Sequence, residues 1–425
     1  MRVPSLPRSR DAAWPIAIAG TVAILVGIAS ICVGAVIPGL PVPLIPVDLS
    51  IYVEGSHAAI HHEGLYENSY PSDAGFLPFT YPPFAAIVFW PLSLLGLPAA
   101  AALMCALSLA SLMLILLLGI RRLDEAYPHA LGSSLPTTRR VLLAVLLVFP
   151  TEPIWRTLAY GQVNLLLAAL VLIDLWGPRW RGRGVLLGIA AAIKLTPAVL
   201  ALTFLIEGDR RSAARSIAGG VGATLLAWLI LPRESTTYWL STLRHVDRIG
   251  ESVIPAQQSL RGVVDRLGLP PHVSSVLWGI LLCCALVLFG IIALRLSPRR
   301  AGEWTPQAHL WAPLLCGLLG LLLSPISWSH HWVWLALVWL VLLSTRRWEW
   351  ALAYGVLLYA RLHFAGEISG LPGALSWVLE ADFVLGAIVL AGVAVARGLP
   401  AAETTTSPAE VQPPRGNPSP LQERL

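Results

Sequence analysis

The sequence contains little charge. Only 12% of its 425 residues are Asp, Glu, Lys or Arg, whereas 56% are hydrophobic, and the mean hydropathy is +0.71. This composition argues against a soluble globular protein, in which about 25% of residues are usually charged. The net charge of +5 comes from short arginine clusters between apolar segments, so no nucleic-acid partner is expected. The chain is therefore interpreted as a membrane protein.

Cysteines are also few: the chain has five, and all of them lie in apolar segments. Their odd number and their spacing argue against a disulfide framework and match no zinc-binding pattern. His57 and His61 are four residues apart and could bind a metal from one helix face. No third ligand follows at a matching distance, which favours hydrogen bonding at the membrane interface. We expect neither a metal nor another cofactor.

Arginine clusters orient the apolar segments. The first apolar run, at 14–37, is interpreted as an uncleaved span because it is long for a signal peptide and no small-residue cleavage site follows. With a cytoplasmic N-terminus, the later arginine clusters also fall on the cytoplasmic side, as the positive-inside rule requires. Further spans are predicted at about 141–153, 161–177, 213–231, 273–295, 309–325, 331–345, 349–365 and 380–397.

The predicted fold is all-α, with about 10–12 membrane crossings that include broken or re-entrant helices, and with external helices at the membrane surface. Residues 1–399 are expected to form one multi-span domain whose long external loops are 38–81 and 232–272. Residues 400–425 are rich in Pro, Thr and Ser and lack apolar periodicity, which predicts a disordered cytoplasmic tail.

The segment 184–206 lies between two arginine clusters and must return to its own side of the membrane. About 20 residues are needed for one crossing, so we predict two half-helices that meet at the sequence KLTP. Lys194, the only lysine of the chain, lies at this break. It could snorkel to the interface, but an ionisable group in a membrane segment is a functional hypothesis. A phosphate would be a natural partner for it.

Other polar residues gather on the side predicted to be external. Asp48 is predicted in the first turn of a surface helix, where it could cap the helix, act as a general base, or do both. Gln162 and Asn164 lie at the outer end of a span, where polar groups also satisfy free backbone donors. The adjacent His330 and His331 lie in a Trp-rich stretch typical of the aromatic belt. As a pair they favour a functional site.

Six motifs follow one another in the order VDLSIYVEG, YPP, GQVNLLLAALVLIDLW, GIAAAIKLTPAVL, QSLRG and LSPISWSHHWVW. Together they resemble the polyprenol-phosphate-mannose-dependent alpha-mannosyltransferases of actinobacteria, in glycosyltransferase family 87 of the GT-C superfamily. The resemblance extends from about Val47 to about Leu343. It departs from the family at Gln257, where the external loop of the family has Asn.

The resemblance implies a set of site residues. Asp48 would be the general base, and His331 would take part in catalysis at the same cavity. The expected substrate-binding residues come from the matching motifs and are Tyr52, Tyr81, Gln162, Asn164, Lys194, Gln258, Ser259, Arg261, Ser327 and His330.

The resemblance also implies a reaction. Mannose would move from polyprenyl-phosphate-mannose to a phosphatidylinositol mannoside or lipomannan acceptor at the outer face of the cytoplasmic membrane, with both chain termini inside. Because the family donor is a beta-linked sugar phosphate and the product is an alpha-mannoside, the reaction inverts and needs one base. The expected partners are the lipid-linked donor, the acceptor and membrane lipids. An arabinofuranosyltransferase using decaprenyl-phosphoryl arabinose and a flippase or transporter of lipid-linked sugars remain as alternatives.

Overall fold

The computed structural model describes five parts of the chain, namely residues 46–245, 248, 250–297, 304–367 and 371–397. The predicted first span at 14–37 and the predicted tail at 400–425 lie outside these residues.

Helices dominate the described residues. The α-helices are α1 (Val47–Ile60), α2 (Pro83–Ser93), α3 (Leu97–Ala126), α4 (Thr137–Val148), α5 (Glu152–Ala159), α6 (Asn164–Trp176), α7 (Val185–Ile193), α8 (Leu202–Glu207), α9 (Arg210–Ile230), α10 (Pro232–Leu240), α11 (Leu260–Asp265), α12 (Pro271–Leu296), α13 (Pro306–Leu323), α14 (Val333–Ser344), α15 (Trp348–Ala360), α16 (Gly373–Glu380) and α17 (Asp382–Arg397). Short 3-10 helices span Thr196–Ala201, Thr242–Arg244, Ser329–His331 and Leu362–Glu367. An antiparallel hairpin, β1 (Ser69–Ser72) and β2 (Gly75–Pro78), lies in the predicted external loop.

The helices confirm a helical, multi-pass architecture. Among the described residues, four helices are long and apolar enough to cross a bilayer, namely α3, α9, α12 and α13. The bent pairs α4–α5 and α16–α17 raise that number to six if each pair is one span. Shorter apolar helices, α2, α6, α14 and the run Thr196–Glu207, occupy further apolar stretches. The helix bounds agree with the predicted segments to within a few residues, apart from the bend after α4.

The break in the segment 184–206 is confirmed. Helix α7 ends at Ile193, Lys194 has an extended backbone, and a 3-10 helix begins at Thr196. Helix α7 also packs tightly on α9, since a Cβ added to Gly188 would lie 2.2 Å from the backbone oxygen of Ser216. This close backbone contact fixes α7, and with it the position of Lys194, against the neighbouring helix.

Helices α13 and α14 form the centre of the molecule. Nearly every residue of α13 is buried, and Trp311 and Trp332 are among the largest fully buried side chains. A helix that is apolar on all sides is expected to be enclosed by other elements. In contrast, α9 and α12 expose large apolar side chains such as Leu229 and Leu294, as expected of surfaces that face lipid. The two histidines lie between the two central helices, at the turn that joins α13 to α14.

Candidate active site

Three side chains from separate segments form a hydrogen-bonded triangle. The Tyr52 hydroxyl on α1 donates to Gln162 Oε1 over 2.9 Å, and the Tyr81 hydroxyl donates to the same oxygen over 3.2 Å. The two hydroxyl groups are themselves 2.9 Å apart. Gln162 lies in the turn immediately before α6. The structure thus brings together three of the predicted site residues.

Asp48 is attached to the same turn by its backbone. The N–H groups of Asp48 and Leu49 both donate to the carbonyl oxygen of Tyr160, over 3.1 and 3.2 Å. Gly161 permits this approach: its φ is +65°, and an added Cβ would lie 2.7 Å from the Cβ of Leu49. A residue with a side chain would meet both a steric clash and an unfavourable backbone conformation. The first turn of α1 is therefore held against Gln162.

The Asp48 carboxylate has the properties of a base. Burial raises its pKa from 3.8 to about 6, although a hydrogen bond from Gln162 and the positive charge of Lys194 both act to lower it. The predicted capping role has no support, because Pro46 is the N-cap of α1 and no side chain caps that end. A carboxylate with a pKa close to neutral is suited to accept a proton from a substrate hydroxyl.

Lys194 points into the site. Its Nζ donates to Asn164 Oδ1 over 3.0 Å, and it lies 3.0 Å from His331 Nε2 and 3.4 Å from the Tyr81 hydroxyl. An ammonium group has only donors, so Nε2 of His331 accepts and the imidazole carries its proton on Nδ1. Lys194 therefore bonds to side chains of the site and does not snorkel to the interface. One cation and one imidazole thus lie side by side.

The two histidines lie on one turn but face different groups. The 3-10 helix Ser329–His331, called the histidine turn below, sets the two imidazole planes at 89° to each other, with centroids 4.6 Å apart. The ring of His330 meets Tyr160 edge to face, at 5.5 Å. The carbonyl of His330 accepts from Thr157 Oγ1 and Asn164 Nδ2, each over 2.9 Å. Of the two histidine side chains, only that of His331 contacts Lys194, so the two histidines have different surroundings.

A narrow cavity of about 40 Å³ begins at this pair. Asn164, Lys194 and His331 line its polar end. Its remaining walls are mainly apolar and come from α6, α13, α14 and the 3-10 helix after Lys194; they include Leu167, Leu200, Leu321 and Trp334. A cationic end joined to an apolar slot is the chemistry that suits an anionic head group on a hydrocarbon chain.

Gln257 and the adjoining QSLRG motif hold the loop that precedes the histidine turn. Gln257 Nε2 donates to Pro325 O over 2.8 Å, and the Ser259 hydroxyl donates to the same oxygen over 3.0 Å. The backbone N–H of Gln258 donates to Ser327 O over 2.7 Å. The predicted substrate-binding residues Gln258, Ser259 and Ser327 therefore bond to the protein itself, and their contact with substrate stays a prediction.

Arg261 lies apart from the triangle and from Lys194. Its Nε donates to Asp265 Oδ2 over 2.7 Å, and its guanidinium lies 5.3 Å from the centre of the Trp278 ring. Its contact with substrate stays a prediction. The rings of His57 and His61 are tilted at 39° with their centroids 4.2 Å apart, and among the described residues no group of three His, Cys, Asp or Glu side chains has an arrangement that could hold a metal ion.

Sequence reasoning missed the groups behind the histidine turn. Glu152, Arg156 and Thr157 of α5 all bond to that turn, through Ser329 or the His330 carbonyl. The available signal was the pair Glu152 and Arg156, which are ionisable residues four apart in a largely apolar region. Their partners lie more than 170 positions further along the chain, so no local pattern connects them.

Comparison with known proteins agrees with this geometry. Two relatives are named polyprenol-phosphate-mannose-dependent alpha-(1-2)-phosphatidylinositol mannoside mannosyltransferase. The one from Mycolicibacterium smegmatis is 37% identical over 68% of each chain. The one from Mycobacterium tuberculosis is 38% identical over 72% of this chain and 73% of the relative. A third, an alpha-(1-2)-phosphatidylinositol pentamannoside mannosyltransferase of Mycolicibacterium smegmatis, is 39% identical over 69% of each chain. No solved structure matches significantly. The model of glycosyltransferase family 87 matches residues 79–325, and the chain belongs to that family.

Proposed function

We propose that this glycosyltransferase moves mannose from polyprenyl-phosphate-mannose to a phosphatidylinositol mannoside or lipomannan acceptor. The relatives' names specify that donor and phosphatidylinositol mannoside acceptors, and they favour mannose over arabinofuranose. Acting on the outer face of the cytoplasmic membrane agrees with the arginine distribution, which puts the site opposite the basic loops.

Asp48 is the proposed general base, and its position carries the proposal. The carboxylate lies beside Gln162, its pKa is raised to about 6, and α1 is fixed to the Tyr160 carbonyl by two backbone hydrogen bonds. At neutral pH the group is mostly ionised, yet it is basic enough to accept the proton of an acceptor hydroxyl as that oxygen attacks the sugar. The reaction inverts at the anomeric carbon, since a single base acts and no covalent intermediate forms.

Lys194 and His331 are proposed to hold the donor phosphate. As the bond between the sugar and the phosphate breaks, negative charge grows on the departing polyprenyl phosphate, and nearby cations and donors stabilise it. Lys194 supplies the charge and, with His331, lies at the polar end of the apolar cavity. The apolar walls next to these two side chains are chemically suited to the hydrocarbon chain that carries the phosphate. Tyr52 and Tyr81 are further donors close to the sugar site.

A transfer assay tests the proposal. Membranes that contain the protein are supplied with radiolabelled polyprenyl-phosphate-mannose and purified phosphatidylinositol mannosides, and the lipid products are separated and digested with alpha-mannosidase. We expect labelled products that the alpha-mannosidase degrades, and at least about a hundredfold slower product formation with a folded Asp48→Asn variant. Transfer from decaprenyl-phosphoryl arabinose but not from the mannose donor would overturn the assignment of the sugar. Movement of the donor across vesicles without transfer would overturn the enzyme itself.

A further inference from the structure

A buried cluster of charged side chains lies behind the histidine turn. Glu152, His363 and Asp382 are 1%, 0% and 4% exposed. His363 lies between the two carboxylates, with Nδ1 3.2 Å from Asp382 Oδ2 and Nε2 3.7 Å from Glu152 Oε1. Arg156 is the second cationic partner of Glu152, at 3.3 Å. With a protonated imidazole the two carboxylates are balanced by two cations, as a buried cluster requires.

The cluster reaches the histidine turn through one side chain. The Ser329 hydroxyl, which is 0% exposed, donates to Glu152 Oε1 over 2.6 Å and accepts from Arg156 Nη1 over 3.1 Å. Ser329 is the residue directly before the histidine pair. The two bonds therefore anchor the start of the turn that carries His331, and a charge-assisted bond of this length is among the stronger ones.

Helix α5 connects this anchor to the catalytic base. Glu152 begins the helix and holds Ser329, Thr157 in its last turn holds the His330 carbonyl, and Tyr160 just beyond it accepts from the backbone of Asp48. The helix thus bonds to the histidine turn near both of its ends, and the residue just beyond it holds the base. Because an α-helix is stiff, it fixes the first turn of α1 and the histidine turn relative to each other.

We propose that Glu152 and Ser329 are positioning residues for sugar transfer, and that they act by fixing the histidine turn so that His331 and Lys194 meet the donor phosphate. His363 and Asp382 hold the Glu152 carboxylate in place from behind. This inference rests on the proposed function of His331. Neither Glu152 nor Ser329 can touch substrate, because both are fully enclosed by protein.

A purely structural role is the competing explanation. Buried ion pairs often contribute little to net stability, because the desolvation penalty offsets their attraction. Breaking such a cluster would nevertheless lower the melting temperature, so loss of activity alone does not separate the two explanations. A double-mutant cycle does, because two residues that act through one interaction give non-additive effects.

The experiment compares four purified proteins in detergent: the parent, Ser329→Ala, His331→Gln and the double variant. Ser329→Ala is expected to lower kcat by about tenfold with both KM values within about threefold, since a misplaced contact group weakens the transition state. In the His331→Gln background the same Ser329 change should cost less than about threefold. Glu152→Gln repeats the measurement with the other partner of the bond.

Glu207→Gln is the matched control. Glu207 is likewise a buried carboxylate paired with arginines, at 2.6 Å from Arg183 and 2.8 Å from Arg179, but it has no bond to the histidine turn. We expect a lower melting temperature and an unchanged kcat. An equal loss from Ser329→Ala in both His331 backgrounds would refute the positioning role. If the parent makes no mannosylated product, the proposed function itself is wrong. The experiment thus distinguishes failure of the positioning role from failure of the proposed function.

Discussion

Replacing Asp48 by Asn should slow transfer strongly and stabilise the protein at the same time. Asparagine has nearly the size of aspartate and keeps an oxygen that can accept from Gln162, but it cannot take up a proton. General-base catalysis contributes about 10²–10⁴ in rate, so a loss of at least about a hundredfold in kcat is expected. That corresponds to about 2.7 kcal/mol or more of transition-state stabilisation.

The same substitution is expected to increase the stability of the folded protein, although it lowers the transfer rate. Folding raises the pKa of Asp48 from 3.8 to about 6, so the ionised group opposes folding. Below pH 3.8 the group is protonated in both states and has no effect, and the penalty grows as pH rises and is complete above about pH 6. The difference amounts to up to about 3 kcal/mol at 1.36 kcal/mol per pH unit, reduced by the partial exposure of Asp48. The Asn variant should therefore melt at a higher temperature than the parent at pH 7.5.

Two assays check the prediction. The pH dependence of kcat/KM for the parent should fall about tenfold per pH unit below about 6, where Asp48 becomes protonated, and the residual rate of the Asn variant should lack this acid limb. Melting in detergent gives the stability change. Glu54→Gln is the matched control, because Glu54 is an exposed carboxylate on the same helix. A folded Asn variant with near-normal transfer, or with the acid limb intact, would refute Asp48 as the base.

His331→Gln should lower the transfer rate by roughly tenfold or more, whereas His330→Gln should have little effect, because only His331 bonds to Lys194. If both variants transfer mannose at the rate of the parent, the proposed phosphate site is wrong. Lys194→Gln should raise the KM for donor and move the acid limb of kcat/KM to higher pH, because the Lys194 charge lowers the pKa of Asp48; an unmoved limb would contradict that coupling. Transfer should persist in excess chelator, as a phosphate-linked donor has no diphosphate leaving group, and loss that zinc or manganese reverses would contradict this. A cysteine replacing Asn68 should react with an impermeant reagent added outside intact cells, whereas one replacing Arg181 should not, and the reverse pattern would invert the topology.

Local rules were sufficient for the groups on the substrate side of the site. The flanking arginine clusters and the length of 184–206 predicted the break at KLTP, and the apolar positions after the first span predicted a surface helix with Asp48 in its first turn. Both features depend on residues close in sequence, such as the turn former Pro197 three positions after the lysine. The order of the apolar segments likewise followed from hydropathy.

Features that depend on distant contacts could not be predicted. The Glu152–Ser329 bond joins residues 177 positions apart, and His363 owes its environment to two carboxylates from different helices. Ser259 of the QSLRG motif was expected at the substrate; in the structure its hydroxyl bonds to the Pro325 carbonyl, and contact with substrate stays a prediction. The motif alone does not say whether polar side chains face a ligand or a neighbouring loop, because both satisfy the same donors.

The pairing of His363 with Asp382 sets an order of events during biosynthesis. The chain is made from its N-terminus, so the base, the lysine and both histidines enter the membrane before Asp382 at the start of α17. Until that helix inserts, His363 lacks one of its two carboxylate partners, and the cluster that holds the histidine turn is incomplete. The nascent enzyme would become competent only after α17 has inserted, so chains that lack this helix would not use the lipid-linked donor.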